Sequence, residues 1–197
     1  MCGRYYIDDK EFALSPYFDA AEKRAQHLGV SMVRSGEIYP TQIVPVIAPN
    51  QLNRAAEAYP MRWGFQHPSK GMLIFNVRSE TAAQKDLFVT SVEDRRCAVP
   101  ASRYFEWKKE TDGKQKYGFW PKEGKLFLGG LYLRSSKEKI PSFIILTRDA
   151  VGEAAGIHKR MPLLIPENRI GDWLTAEYCY ADIFPAFSSE VNFQKES

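Results

Sequence analysis

Cys2 is the first residue in this chain that could do unusual chemistry. It stands in Met1-Cys2-Gly3-Arg4, and so small a residue in second place permits removal of the methionine before it. A Cys2 freed in this way would carry an α-amine and a thiol on adjacent carbons, with reference pKa values of about 7.7–8.0 and 8.5. Very roughly a tenth to a quarter of that amine is unprotonated at neutral pH, which a lysine at its reference value does not offer. A plainer reading also fits, because free cysteines are commonly small buried residues with no reactivity.

Three further stretches place polar groups where chemistry could use them. In Phe75-Asn76-Val77-Arg78, strand alternation puts Asn76 and Arg78 on one face and Phe75 and Val77 on the other. An amide beside a guanidinium suits a phosphate or sugar oxygen, and the same pattern also fits a solvated polar face. In Arg103-Tyr104-Phe105-Glu106-Trp107, Glu106 lies among aromatic residues. Such surroundings raise a carboxyl pKa toward the range useful for proton transfer, although an exposed strand glutamate reads the same way. His158 and Arg160 fall in Ile157-His158-Lys159-Arg160-Met161-Pro162, after a short helix and before a proline. This is loop, where functional side chains concentrate. Trp63 and Phe65 flank Gly64 beside Arg62; exposed they would stack on bases, and buried they are core.

The elements that must hold these groups are mostly strands. Residues 8–28 mix apolar and charged residues at helical spacing, with Pro16 either breaking the helix or starting a second one, and His27 placed at its C-terminal end. The stretch from Glu37 to Ile47 reads as extended, with Pro40 and Pro45 confining it to an edge or to breaks in a sheet. A strand ends near Gly64, and another runs from Met72 into a helix that Thr81 and Gln84 would cap. Thr111-Asp112-Gly113 is a turn, and Lys122-Glu123-Gly124 predicts a hairpin between the strands on either side of it. A buried strand over Ser142–Thr147, a short helix ending near Gly156 and a last helical turn near Asn168–Leu174 complete the chain. Many short strands with irregularly interspersed helices predict an α+β fold, a single domain over residues 1–197. Its sheet would be rolled, barrel-like and mostly antiparallel, with peripheral helices.

Composition narrows the function classes. The chain of 197 residues can bury a full core, and its net charge of +3 permits a nucleic-acid partner without demanding one. Three widely spaced cysteines and three histidines form neither a disulfide framework nor a metal-ligand pattern, so no metal is expected. Without a signal sequence or an apolar run of membrane-spanning length, the expectation is a cytoplasmic monomer that does not engage a membrane.

Taken in order, Met-Cys-Gly-Arg-Tyr, Tyr-Pro-Thr-Gln, Arg-Trp-Gly-Phe, Phe-Asn-Val-Arg-Ser-Glu-Thr, Arg-Cys-Ala-Val-Pro-Ala-Ser-Arg-Tyr-Phe-Glu-Trp, Ser-Phe-Ile-Ile-Leu-Thr and Ile-His-Lys-Arg-Met-Pro-Leu-Leu-Ile resemble the successive motifs of the SOS response-associated peptidase (SRAP) domain. The resemblance runs from residue 2 to about residue 165. Arg103 departs from it, standing where the family usually has glycine, and Phe105 stands where tyrosine is more usual.

The resemblance implies a protein that binds abasic sites in single-stranded DNA and becomes covalently attached to them, shielding the lesion in the DNA damage response. It places the catalytic set at Cys2, Asn76, Glu106 and His158. DNA-backbone contacts fall at Arg4, Arg78, Thr147 and Arg160, with Pro40, Trp63 and Phe65 as stacking or wedge positions. It implies a thiazolidine formed by Cys2 after Met1 is lost, an abasic-site lyase side activity, autoproteolytic removal of Met1, and association with the nucleoid during damage. Two other enzyme classes stay open: an N-terminal-nucleophile amidohydrolase, which also begins Met-Cys-Gly, and a cysteine peptidase using Cys2 with His158.

Overall fold

The computed structural model describes residues 2–8, 10, 15–175, 179–180 and 190–196. From Cys2 the chain enters β1 (Tyr5–Ile7) and then α1 (Ser15–His27). Pro16 lies in the first turn of α1, where its missing N–H costs nothing, and Arg24 and His27 occupy the last turn, facing the negative end of the dipole. The part of the helical expectation over residues 9 and 11–14 lies outside the described residues. Next come β2 (Gly36–Ile38), β3 (Ile43–Pro49), β4 (Ala56–Trp63), the small pair β5 (Phe65–Gln66) and β6 (Leu73–Ile74), and β7 (Asn76–Arg78). Two short helices, α2 (Ser79–Ala82) and α3 (Val89–Asp94), precede β8 (Arg96–Ala101), β9 (Arg103–Glu110), β10 (Gly113–Pro121), β11 (Leu126–Leu133) and β12 (Ser142–Asp149). A 3-10 turn over Gly152–Gly156, β13 (Arg160–Pro162), β14 (Leu164–Ile165), α4 (Ile170–Leu174) and β15 (Val191–Lys195) come last.

The fold is α+β around a barrel-like sheet. β12 pairs with β4, β4 with β3, β3 with β8, β8 with β11, and β11 returns to β12, closing a ring. The β12–β4 and β12–β7 pairings are parallel, and the other pairs of the ring are antiparallel. Closure removes the exposed edges that an open sheet leaves. A second, antiparallel sheet has the order β15-β10-β9-β1-β2. One stretch of chain serves both sheets, because β8 runs into β9 through Ser102. The Ser102 N–H donates to the Tyr6 carbonyl at 2.8 Å, and its hydroxyl accepts the Asp8 N–H at 2.8 Å.

Registers set the two faces of this second sheet. Tyr6 opposes both Glu37 and Arg103, and Trp107 opposes Lys116. By alternation Arg4, Tyr6, Glu37, Arg103, Trp107 and Lys116 share one face. Tyr5, Ile7, Tyr104, Glu106 and Phe119 share the other, and all five are buried. That inner face joins a core in which Trp63, Phe143 and Tyr5 pack as neighbouring rings.

Three local expectations are corrected. The strands flanking Lys122-Glu123-Gly124 do not form a hairpin: β10 pairs with β9 and β15, whereas β11 pairs with β8, β12 and β14. Pro45 is not at an edge, because β3 lies between β4 and β8; it faces Pro60 across the β3–β4 pair, and since the Ile43–Arg62 pair two residues away bonds outward on both strands, neither missing donor is needed between β3 and β4. The helix after β7 starts at Ser79 with no side-chain cap, so Thr81 is inside it rather than its cap.

Candidate active site

Cys2 is fully buried beside the start of β1. Its thiol donates to the Arg4 carbonyl at 3.7 Å. Burial pushes the thiol pKa far above its ordinary value, and the charge of Glu106 pushes it the same way. The sulfur is therefore a neutral S–H at neutral pH.

Asn76 holds Cys2 by its backbone. The Asn76 side chain, on β7, donates through Nδ2 to the Cys2 carbonyl at 2.6 Å. Its other atom, Oδ1, is buried and accepts nothing among the described residues, so it remains an acceptor for an N–H brought beside it. The strand alternates as its sequence suggests: Val77 is buried, Asn76 half-buried and Arg78 exposed. The register against β12, Asn76 opposite Ile145 and Arg78 opposite Thr147, fixes where this amide stands.

Glu106 comes from β9 and is buried on the inner face. Burial raises its carboxyl pKa, and the facing charge of His158 opposes that shift without cancelling it. His158 Nδ1 lies 3.8 Å from Glu106 Oε2. The imidazole is also pinned by the backbone of Arg160, with Nδ1 2.8 Å from its carbonyl oxygen and 3.1 Å from its nitrogen. When Nδ1 carries the proton and donates to that carbonyl, Nε2 holds the lone pair. The four residues named as catalytic thus form two linked pairs, Cys2 with Asn76 and Glu106 with His158, and the field of Glu106 acts on Cys2.

The residues named as DNA contacts divide by exposure. Arg78 is exposed and has no ion pair among the described residues. Arg4, Pro40 and Phe65 keep accessible surface, with Phe65 edge-on to Phe88. Three others are corrected. Trp63 is a fully buried core ring whose indole N–H donates to the Phe75 carbonyl at 3.0 Å, so it offers no stacking face. Thr147 is fully buried and donates to the Val77 carbonyl at 3.3 Å, tying β12 to β7. Arg160 is also buried, and its guanidinium is occupied: it meets both Glu80 oxygens at 2.9 and 2.8 Å, Asp149 at 2.5 Å and the Thr147 carbonyl at 2.6 Å. It braces the loop that carries His158.

Two further groups of the site lie inside the quoted motifs but are given no role there. The Tyr5 and Tyr104 hydroxyls are buried and have no hydrogen-bond partner among the described residues. Burial raises both pKa values, and the neighbouring Cys2 adds to the shift in each. Tyr104 stands two residues before Glu106, and that spacing is the one sequence signal that both share the site's face.

This fold and residue set define a protein that buries a cysteine near its N-terminus beside a glutamate–histidine pair, and the comparisons give its family. The profile of "SOS response associated peptidase (SRAP)" matches residues 1–189, and the chain belongs to that family. Abasic site processing protein YoaM of Bacillus subtilis is 28% identical over 192 residues, covering 88% of this chain and 79% of its own. Abasic site processing protein YMR114C of Saccharomyces cerevisiae is 32% identical over 113 residues, 53% of this chain but only 31% of that longer protein. Abasic site processing protein YedK of Escherichia coli is 30% identical over 123 residues, 60% of this chain and 55% of its own. Among solved structures, a protein from Bacteroides thetaiotaomicron matches with a TM-score of 0.77 at 20% identity, covering 98% of this chain and 91% of its own. A Bordetella bronchiseptica protein matches with a TM-score of 0.75 at 24% identity over the whole of both chains.

Proposed function

We propose that this chain, acting as one domain and a monomer, binds abasic sites in single-stranded DNA and joins them covalently through Cys2 once Met1 has been removed. The relatives' names as abasic site processing proteins support the substrate class. The observation that supports the chemistry is how Cys2 is held. Asn76 grips its carbonyl, while its buried thiol is kept neutral. A thiolate nucleophile would need the opposite environment, with a cation lowering the thiol pKa. An amine-first route needs only a neutral sulfur poised for a second step.

In this reading the unprotonated Cys2 amine attacks C1′ of the open-chain deoxyribose aldehyde and forms a carbinolamine. Loss of its hydroxyl as water leaves a Schiff base. The thiol then adds to the imine carbon, its proton passes to nitrogen, and the five-membered thiazolidine closes. Two bonds to C1′ form, C–N and C–S, and one water leaves. Proximity makes the second step effectively unimolecular. Glu106, raised by burial, can carry a proton to the departing oxygen and collect one from the nucleophile. His158 serves ring opening at the sugar oxygen and the reverse reaction. Asn76 Oδ1 accepts from the Cys2 amine. Arg4 and Arg78 take phosphates, with Pro40 and Phe65 against bases. β-Elimination from the Schiff base gives a minor lyase activity, self-removal of Met1 is the simplest peptidase step, and the working compartment is the cytoplasm, at damaged nucleoid DNA.

The test separates amine from thiol at the N-terminus. Protein lacking Met1 is incubated with an abasic single-stranded oligonucleotide and run on a denaturing gel. A heat-stable shift is expected from wild type and none from Cys2→Ala. Protein with an intact thiol but an acetylated Cys2 amine should also give none while still binding a non-reactive abasic analogue. A stable adduct from that blocked protein would refute the aminothiol route in favour of a simple cysteine nucleophile.

A further inference from the structure

The outer face of the second sheet carries a cluster of which the reading above uses only Arg4, leaving Glu37 and Lys116 without a role. Glu37 Oε1 accepts from two cations at once, Arg4 Nη1 at 2.9 Å and Lys116 Nζ at 2.8 Å. Each cation also lies over an aromatic ring, Arg4 3.8 Å from the centre of Tyr39 and Lys116 3.8 Å from that of Phe105. Both approach Trp107, at 5.6 and 5.9 Å. All three charged side chains retain partial exposure, 28% for Arg4 and Glu37 and 26% for Lys116. Arg4 Nε, by contrast, is buried and has no partner among the described residues. Partial burial works to raise the Glu37 carboxyl, but the hydrogen bonds from Lys116 and Arg4 outweigh it and leave its pKa lowered, so it is anionic at neutral pH.

Two cations converging on one carboxylate oxygen is the geometry of a site for an oxyanion that has more than one oxygen to offer. Of the flanking rings, Phe105 is buried, whereas Tyr39 is exposed and Trp107 half-buried, and these two are the rings a neighbouring base can reach. Arg4 is two residues from Cys2, so an anion bound here would belong to the strand carrying the lesion.

We infer that Arg4 and Lys116 form a phosphodiester subsite of single-stranded DNA and that Glu37 occupies it as a built-in competitor, which incoming phosphate displaces. This inference rests on the single-strand reading proposed above. Glu37 lowers affinity and keeps the two cations ordered while the site is empty. The net charge of the cluster is one positive unit with Glu37 in place and two without it, so removing the carboxylate should let the protein neutralise about one more phosphate.

The experiment is anisotropy of a labelled single-stranded oligonucleotide with every base intact, titrated over a range of salt. Glu37→Gln should tighten binding about five-fold or more at low salt and steepen the log–log salt slope by about 0.7. Lys116→Gln should weaken binding and flatten the slope by about 0.7. A Glu37→Gln protein with the wild-type melting curve that binds no tighter overturns the inference. If that variant does not fold, Lys116→Gln decides alone, and an unchanged slope overturns it. The same wild-type preparation is run with an abasic oligonucleotide on a denaturing gel. No adduct there, with the slopes shifting as expected, sinks the crosslinking reading and leaves the subsite standing. An adduct with unmoved slopes sinks only the subsite.

Discussion

Replacing Arg160 by glutamine should destabilise the protein without altering how its DNA binding responds to salt. The Arg160 side chain is only 7% exposed, whereas its partners Glu80 and Asp149 are 39% and 85% exposed. Removing one partner of a fully buried ion pair costs about 3–5 kcal/mol, chiefly because the other charge is stranded. Here Asp149 returns to water at almost no cost, and Glu80 can rehydrate in part. The Thr147 carbonyl loses the guanidinium but keeps the Ser79 hydroxyl at 3.1 Å. What remains is two charge-assisted bonds to Glu80 and a buried cavity edge, which we put at about 2–3 kcal/mol. For a domain of this size that is a fall in Tm of about 4–12 °C. Arg78→Gln supplies the contrast: as an exposed side chain it should leave Tm within about 1–2 °C of wild type. It should also flatten the salt slope of single-strand binding by about 0.7. Calorimetry gives the first quantity and anisotropy the second. If Arg160→Gln melted like wild type but flattened the slope, the assignment of Arg160 as a brace would be wrong, and it would be a phosphate contact after all.

Glu106→Gln should raise Tm at neutral pH while slowing adduct formation about 100-fold. A carboxyl whose folded pKa is raised favours folding when protonated, so its contribution is full in acid and lost as pH rises through the folded value. The variant's advantage should therefore vanish below about pH 4, as melts across pH would show. Trp63→Ala removes a fully buried ring and its hydrogen bond, and chemical denaturation should report a loss of about 3–5 kcal/mol. Gly130→Ala would place a Cβ 2.7 Å from the Ile144 carbonyl oxygen and 3.0 Å from Cys97 Sγ, with backbone on one side. Equilibrium unfolding should show it destabilised by about 1–3 kcal/mol.

The legible parts of this molecule were those that local periodicity encodes. Alternation in Asn76-Val77-Arg78 gave the faces correctly, and the turn residues marked where strands stop. Turn chemistry says that the chain reverses and not which strands it joins, and so the turn at Gly124 separates two sheets rather than closing a hairpin. The resemblance put Thr147 and Arg160 among the DNA contacts, whereas the structure buries both. Thr147 donates to Val77 and Arg160 bonds Glu80, 70 and 80 positions away in the chain, which no local window contains. The linkage of Glu106 to His158 was legible as residue types, but the distance between them depends on strand order.

β12 also governs where this chain can change length. Along one edge it meets first β4, through Ser142 and Phe143, and then β7, through Ile145 to Thr147. On the other side Thr147 and Asp149 face Pro162 and Arg160 of β13. The two walls of the site are therefore counted off along the same few residues. Deleting one residue between Phe143 and Thr147 would shift the rest of the strand by about 3.3 Å and turn every later side chain to the opposite face. It would carry Asn76 and the His158 loop out of register together. Insertions at residues 67–72 or 134–141 touch no pairing of β12. Divergence in length should accumulate in those loops, while the register that sets Asn76 and the His158 loop stays the same.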